Sequence, residues 1–295
     1  IIAPSSKLHA KVTRSWRNEP ERILGGRPML SYRSVFISDL HLGTRDAKVD
    51  YLIDFLTHVR CERLYLVGDV LDVWRLRSGG WRWPRIKHEL VQLLLRRVQE
   101  GVEIIYVPGN HDEAVRLLGA GEAFGVRILP EVIHEGADGR RWLVVHGDGF
   151  DAVLHCNPLM RRVGDVGYEA LMRLARLIHG ARRLLGLPYG SLAAHVKGRL
   201  KNAMRYVEQY EAVAQAYARE HGFDGIISGH IHHACLREWD GVTYANCGDW
   251  VENCTALAED ASGRLHLLHW ARDHLALLDG GRDMARVGAA SPQVG

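Results

Sequence analysis

Acidic and imidazole side chains follow an apolar segment near the start of this 295-residue chain. Residues 35–37 are apolar, and Asp39 and His41 come directly after them. Alternate side chains of extended chain share one face, so these two side chains can converge on one point. A carboxylate and an imidazole held together suit a divalent metal ion. The alternative is that Asp39 caps a turn and that His41 is incidental.

Four later apolar segments end in the same way, usually beside a glycine. The segments 64–67, 104–107, 142–145 and 225–228 are followed by Asp69, by Asn110 with His111, by His146 with Asp148, and by His230 with His232. Glycine lets the backbone turn sharply and approach an ion closely. Ligands of open α/β sheets bind beyond the carboxyl ends of the strands. Five such strand ends favour one shared metal site over five coincidences.

The segments between these strand ends predict mixed sheets with helices outside. Helical periodicity over 46–60 and 85–100 separates the first three strands, which indicates βαβ units and parallel pairing. Residues 126–145 predict hairpin-like antiparallel strands. Further strands are predicted at 234–239, 242–247, 254–258 and 264–269, with a hairpin turn at Asp240-Gly241.

Composition indicates a globular protein, with 47% hydrophobic and 25% charged residues. The five cysteines lack CxxC spacing, and no apolar run is long enough to span a bilayer. Without a recognisable leader, we expect a cytoplasmic location with reduced thiols. The net charge of +3 does not by itself imply nucleic acid. We expect a flexible extension over 1–28, a main domain over 29–280 and a flexible tail over 281–295.

Two segments beside the strand ends are candidates for contact with a substrate. The loop after Asp72 is rich in Trp and Arg, and its Trp74 and Arg75 either engage a base or phosphate or pack with solvated charges. Residues 151–222 have no strand pattern and predict basic, leucine-rich helices. These helices either form a cap on the domain or also contact an anionic membrane as a peripheral element.

The order Asp-x-His, Gly-Asp, Gly-Asn-His-Asp, His-Gly-Asp and Gly-His-x-His resembles that of the calcineurin-like metallophosphoesterases. The resemblance spans residues 35–233 and implies a four-layer αββα sandwich with a helical cap insertion. Carried over by position, one metal is held by Asp39, His41 and His232, the second by Asn110, His146 and His230, and Asp69 bridges them. Two such ions activate water and clamp phosphoryl oxygens. Their donor atoms suit Mn²⁺, with Fe²⁺ and Zn²⁺ as alternatives. His111 matches the family's catalytic, non-ligand histidine, oriented by Asp72 or Asp112.

Within that superfamily, several blocks resemble UDP-2,3-diacylglucosamine diphosphatases of lipid A biosynthesis. The blocks include the start Asp-Leu-His-Leu and the stretch Gly-Asp-Val-Leu-Asp-Val-Trp. Lys201 resembles a lysine that the family directs toward substrate, and Asp148 belongs to the His-Gly-Asp block. The resemblance implies a nucleotide-linked glycolipid substrate rather than nucleic acid. His111 departs from the Gly-Asn-Arg-Asp of the best-described branch, so a general phosphodiesterase or phosphomonoesterase stays open, as does a non-catalytic scaffold.

Overall fold

The computed structural model describes residues 29–72, 85–154 and 201–279. Four predicted segments lie outside these described residues: the extension over 1–28, the loop with Trp74 and Arg75, the part of the helical cap between 155 and 200, and the tail over 281–295. The predicted domain boundaries therefore stay predictions.

Eighteen elements follow one another in the described ranges. In chain order they are β1 (Leu30–Ile37), α1 (Val49–His58), β2 (Val59–Val67), α2 (Arg85–Gln99), β3 (Glu103–Val107), α3 (Glu113–Arg116), β4 (Gly121–Ala123), β5 (Val126–Ile128), β6 (Val132–Glu135), β7 (Arg141–Val144), α4 (Phe150–Val153), α5 (Lys201–Glu220), β8 (Gly225–Ser228), β9 (Cys235–Trp239), β10 (Val242–Asn246), β11 (Thr255–Glu259), β12 (Leu265–His269) and α6 (Trp270–Asp279).

The strands form two mixed sheets, as the sequence predicts. The first sheet has the order β12-β11-β1-β2-β3-β5-β4, and the second has the order β6-β7-β8-β10-β9. The neighbours β1, β2 and β3 are parallel, and so are β7, β8 and β10. Parallel neighbours bring their carboxyl ends to one edge of each sheet, which is where the chemistry-bearing side chains of this chain lie.

The predicted hairpin-like run over 126–145 is only partly correct. Strands β6 and β7 do form an antiparallel hairpin in the second sheet. Strand β5, however, lies in the first sheet, parallel to β3 and antiparallel to the short strand β4. The chain crosses between sheets around Pro130, which has no N–H to continue a ladder. The turn at Asp240-Gly241 is confirmed, since both residues have positive φ angles (50° and 77°) between the antiparallel strands β9 and β10.

Burial places the helices on the outer faces of the two sheets. Between the sheets, Phe36 and Tyr65 of the first sheet belong to the same apolar cluster as Trp142 and Ile227 of the second. The outer face of the first sheet packs against α1, α2 and α6, with side chains such as Phe55, Leu90 and Trp270 in its core. The outer face of the second sheet packs against α5 through Tyr210 and Ala214. The result is the expected four-layer αββα arrangement.

A buried polar group also joins the two sheets. His134 on β6 contacts the hydroxyl of Tyr65 through Nδ1 at 2.9 Å and the carboxylate of Glu259 through Nε2 at 2.9 Å. Arg33 donates to the other oxygen of Glu259 at 2.7 Å. Burial opposes ionisation of Glu259, but the hydrogen bond from His134 lowers its pKa to about 2. His134 is thus a structural histidine of the core, remote from the predicted metal ligands.

Candidate metal centre

The loops after β1 and β2 run side by side and bring the first three candidate ligands together. The N–H of Asp39 donates to the carbonyl of Gly68 at 3.0 Å, and that of His41 donates to the carbonyl of Asp69 at 2.8 Å. Parallel pairing therefore continues past the strand ends. The side chains of Asp39, His41 and Asp69 are all buried at this edge.

Most candidate ligands sit on backbone that is unusual for residues other than glycine. Asp39, His41, Asp69, His230 and His232 have φ angles of 55°, 45°, 53°, 69° and 52°. They are five of the eight non-glycine residues with positive φ in the described part of the chain. Left-handed backbone costs an L-residue about 1–2 kcal/mol, and such strain concentrates at functional sites. The left-handed backbone turns each loop sharply at its polar residue, at the carboxyl edge of the sheets.

The first half of the site is formed by Asp39, His41 and His232. Nε2 of His232 lies 3.1 Å from Oδ1 of Asp39 and 3.3 Å from Nε2 of His41. Oδ2 of Asp39 accepts the N–H of His230 at 3.0 Å, whereas Oδ1 is buried and accepts no hydrogen bond among the described residues. A buried carboxylate oxygen facing two imidazole nitrogens fits a metal site, because carboxylate and imidazole groups are both ligands of divalent cations.

The second half is built around His146. Its Nε2 lies 3.4 Å from Oδ1 of Asp69 and 3.2 Å from Oδ1 of Asn110. Its Nδ1 donates to the carbonyl of Val67 at 3.1 Å. That hydrogen bond fixes the tautomer in which Nε2 carries the lone pair, as is usual for histidines that bind metals.

His230 lies beside His146 and has a partner that the sequence did not reveal. The rings of His230 and His146 have centroids 5.2 Å apart. Nε2 of His230 donates to Oδ2 of Asp151 at 2.9 Å, and the hydroxyl of Tyr206 on α5 donates to Oδ1 of Asp151 at 2.6 Å. With Nε2 protonated, Nδ1 is the ring nitrogen of His230 that can bind a metal. The sequence signal for Asp151 was weak, since one acidic residue five positions after His146 has no diagnostic spacing.

Asp69 lies between the two halves. Its Oδ1 faces His146, and its Oδ2 lies 3.8 Å from Nε2 of His41. Its Oδ1 also accepts the N–H of His111 at 2.9 Å, which holds the carboxylate in place. One carboxylate facing both halves has the position that a bridging ligand requires.

His111 lies at the mouth of the site, and Asp72 rather than Asp112 orients it. Nδ1 of His111 is 3.4 Å from Oδ1 of Asp72, while its Nε2 is 4.0 Å from Oδ2 of Asp69. Asp112 instead accepts the N–H groups of Gly109 and Leu71 at 2.9 and 2.7 Å and so supports the turn. The side chain of His111 is 30% exposed, more than that of any of its ionic partners.

The electrostatics of the site favour cations. Burial opposes the charge on His146, yet the Asp69 carboxylate raises the pKa of His146 to about 10. Burial likewise opposes ionisation of Asp69 and Asp39, but the neighbouring histidines hold the pKa of each carboxyl below its usual range. Because metal ligands must lose their protons to bind, metal binding at such a site would release protons and depend on pH.

The residues predicted to contact substrate are less well defined. Asp148 forms a bidentate ion pair with Arg116, with N–O distances of 2.6 and 2.7 Å, and that hydrogen-bonded pairing outweighs burial to lower the pKa of Asp148. Lys201 begins helix α5, but its side chain, like Trp74 and Arg75, lies outside the part of the chain that the structure describes.

The fold and the site together define a class of protein. Three overlapping groups of carboxylate and imidazole ligands, which share Asp39, His41 and Asp69, lie at the carboxyl edge of a mixed αββα sandwich, and their donors suit divalent cations. Ligand groups of this kind are typical of metal-dependent hydrolases. The family model of the calcineurin-like phosphoesterases matches residues 32–234. The chain belongs to that family.

Relatives of known name cover most of the chain. A UDP-2,3-diacylglucosamine hydrolase of Haemophilus influenzae (strain PittGG) is 25% identical over 78% of this chain and 96% of its own. One of Stenotrophomonas maltophilia (strain K279a) is 28% identical over 82% of this chain and 98% of its own. Among solved structures, an archaeal phosphodiesterase is 14% identical over 80% of this chain and 98% of its own, with a TM-score of 0.39. Within the described residues, no helix is long and apolar enough to cross a membrane.

Proposed function

We propose that this chain hydrolyses the pyrophosphate bond of UDP-2,3-diacylglucosamine and releases UMP and the acylated glucosamine 1-phosphate, a step of lipid A biosynthesis. The observation that carries the proposal is that the buried Asp69 carboxylate faces His41 through one oxygen and His146 through the other, within overlapping groups of candidate metal ligands. The substrate assignment is supported by the relatives named UDP-2,3-diacylglucosamine hydrolase, which align over 96–98% of their own length.

Seven side chains would hold the two metal ions. They are Asp39, His41 and His232 for one ion, Asn110, His146 and His230 for the other, and Asp69 for both. Donor atoms bound to one ion at about 2.0–2.2 Å lie roughly 3–3.5 Å apart. The distances of 3.1 Å between Asp39 and His232 and 3.2 Å between Asn110 and His146 support this assignment. Mn²⁺ suits these oxygen and imidazole donors, as do Fe²⁺ and Zn²⁺.

The bound ions would supply Lewis acidity, which polarises a phosphoryl oxygen and activates water for attack. His111 would protonate the oxygen of the leaving group or stabilise its developing charge. Burial opposes a charged imidazole, but the hydrogen bond to Asp72 and the Asp69 carboxylate raise the pKa of His111, which favours its proton-donating form. Its exposure at the mouth of the site supports this role.

The substrate itself would extend toward the insertion. Trp74 and Arg75 would contact the nucleotide, and Lys201 would contact the glycolipid. Asp148, whose carboxylate is held by Arg116, would contact the part of the substrate that lies beside the second metal. The basic, leucine-rich segment 151–222 would bind acyl chains and contact an anionic membrane surface from the cytoplasmic side.

The test is release of UMP by the purified full-length chain from UDP-2,3-diacylglucosamine with Mn²⁺, compared with hydrolysis of bis(p-nitrophenyl) phosphate. We expect UMP release, and we expect Asp69→Ala to abolish it. Rapid cleavage of the simple diester without UMP release would overturn the substrate assignment and favour a general phosphodiesterase. Failure to hydrolyse either compound at saturating metal would contradict the hydrolytic role.

A further inference from the structure

A second group of metal-binding side chains lies outside the seven-residue centre. Glu211 on helix α5, His233 in the loop after β8 and Cys235 at the start of β9 place one ligand atom each within 4.8 Å of the others. Oε1 of Glu211 is 3.5 Å from Sγ of Cys235 and 3.7 Å from Nδ1 of His233. His233 directly follows the candidate ligand His232 in the chain.

These separations match the edges of a tetrahedral zinc site. Zinc binds thiolate sulfur at about 2.3 Å and imidazole nitrogen or carboxylate oxygen at about 2.0–2.2 Å. At tetrahedral angles, neighbouring donors are then about 3.4–3.6 Å apart. The observed distances of 3.5 and 3.7 Å are close to these values, and the third separation, between Sγ of Cys235 and a ring nitrogen of His233, is within 4.8 Å.

The surroundings of the cluster hold its donors ready. Nη1 of Arg237 binds Oε2 of Glu211 at 2.8 Å, so Oε1 faces the other two donors. Nδ1 of His233 is buried and has no hydrogen-bond partner among the described residues. Glu211 and Cys235 are buried, whereas the side chain of His233 is 44% exposed. A cation can thus enter past His233, with water as its fourth ligand.

We propose that Glu211, His233 and Cys235 bind one Zn²⁺, at a third metal site separate from the hydrolytic pair. The thiolate favours a thiophilic cation over Mn²⁺, whereas the seven-residue centre contains no sulfur. Binding displaces the thiol proton of Cys235 to solvent, since only the thiolate is a ligand. The zinc ion joins helix α5 to the loop that carries His230 and His232, which stabilises the folded chain by mass action.

Cobalt substitution tests the site directly on the full-length protein. Co²⁺ bound to a thiolate gives charge-transfer absorption in the near ultraviolet, and Co²⁺ bound to oxygen and nitrogen donors does not. At saturation we expect the absorption to correspond to one thiolate-bound Co²⁺ per chain, in addition to Co²⁺ in the seven-residue centre, and we expect Zn²⁺ to displace it. It should vanish in Cys235→Ser and persist in the matched control Cys254→Ser, which changes another buried cysteine.

A second variant controls for the case in which Cys235→Ser loses the signal because it misfolds. His233→Ala changes a half-exposed residue. We expect it to lower the affinity for Co²⁺, measured from the charge-transfer absorption, by about tenfold or more. No charge-transfer absorption in the unchanged chain, or absorption that survives in Cys235→Ser, would overturn the proposal. Because the readout is spectroscopic, it succeeds or fails independently of UMP release.

Discussion

Replacing Asp151 by asparagine tests whether the second half of the metal centre depends on a residue that binds no metal itself. Asp151 accepts the Nε2–H of His230 at 2.9 Å and the hydroxyl proton of Tyr206 at 2.6 Å. Asparagine has nearly the same shape but no charge, and its amide nitrogen can only donate. We therefore expect that in Asp151→Asn the tautomer and the orientation of His230 are less strongly fixed, while the fold stays intact.

The magnitude follows from the hydrogen bond that is lost. A hydrogen bond to a charged group contributes about 1.5–3 kcal/mol, which corresponds to about 10–150-fold in an equilibrium constant. Residues that support metal ligands typically change metal affinity by about 10–100-fold, in agreement. We expect a loss in this range for one of the two ions and little change for the other, because Asp151 hydrogen-bonds to His230, which is assigned to one ion only.

The assay is a metal-binding isotherm measured against a competing chelator, with UMP release followed over the same Mn²⁺ concentrations. Excess Mn²⁺ should restore most of the activity of Asp151→Asn. Tyr206→Phe keeps the carboxylate and should cost less, about fivefold or under. Asp273→Asn, which changes an aspartate paired with Arg272 on α6, is the matched control. If Asp151→Asn binds both equivalents with unchanged affinity, the positioning role of Asp151 is wrong.

Three further changes test the centre and its support. Asp69→Asn should lower the content of both metals and abolish turnover, since Asp69 faces both halves; retention of two tightly bound ions would contradict the bridge. His111→Gln should lower kcat by about 10²–10⁴-fold with unchanged metal content. Loss of metal in this variant would instead show that His111 is itself a ligand. Glu259→Gln, which breaks the buried pair with His134, should destabilise the fold by about 3 kcal/mol and lower Tm by about 6–12 °C, measured by calorimetry. Because its folded pKa is lowered to about 2, the stabilisation by Glu259 should be complete above its ordinary pKa of 4.5 and should be lost as pH falls toward 2. Equal acid sensitivity of Glu259→Gln and the unchanged chain between these values would contradict this role.

The sequence alone was sufficient to predict most of the fold. Apolar runs such as those ending before Asp39 and Asp69 are buried on both faces in the structure, so their hydrophobicity identified them without tertiary information. The order of polar residues at the strand ends also predicted which side chains would meet, because parallel strands bring their carboxyl ends to one edge.

Other features depended on which elements pack together in three dimensions. Strand β5 has a hairpin-like pattern, but it pairs with β4 and β3 of the first sheet rather than with β6, and the pairing with the distant strand β3 leaves no local signal. Asp151 and Tyr206 are 55 residues apart, and only the packing of α5 on the second sheet brings them to His230.

The amino-acid sequence by itself determined the chemistry available to this protein, since residue type sets which atoms can bind a metal and strand periodicity sets where they are presented. The tertiary structure decided which residues orient those ligands and which additional donors, such as Glu211 and Cys235, come within reach of one another. The physical reason is that hydrogen bonds and ligand spacing depend on distances of a few ångströms, which sequence separation does not specify.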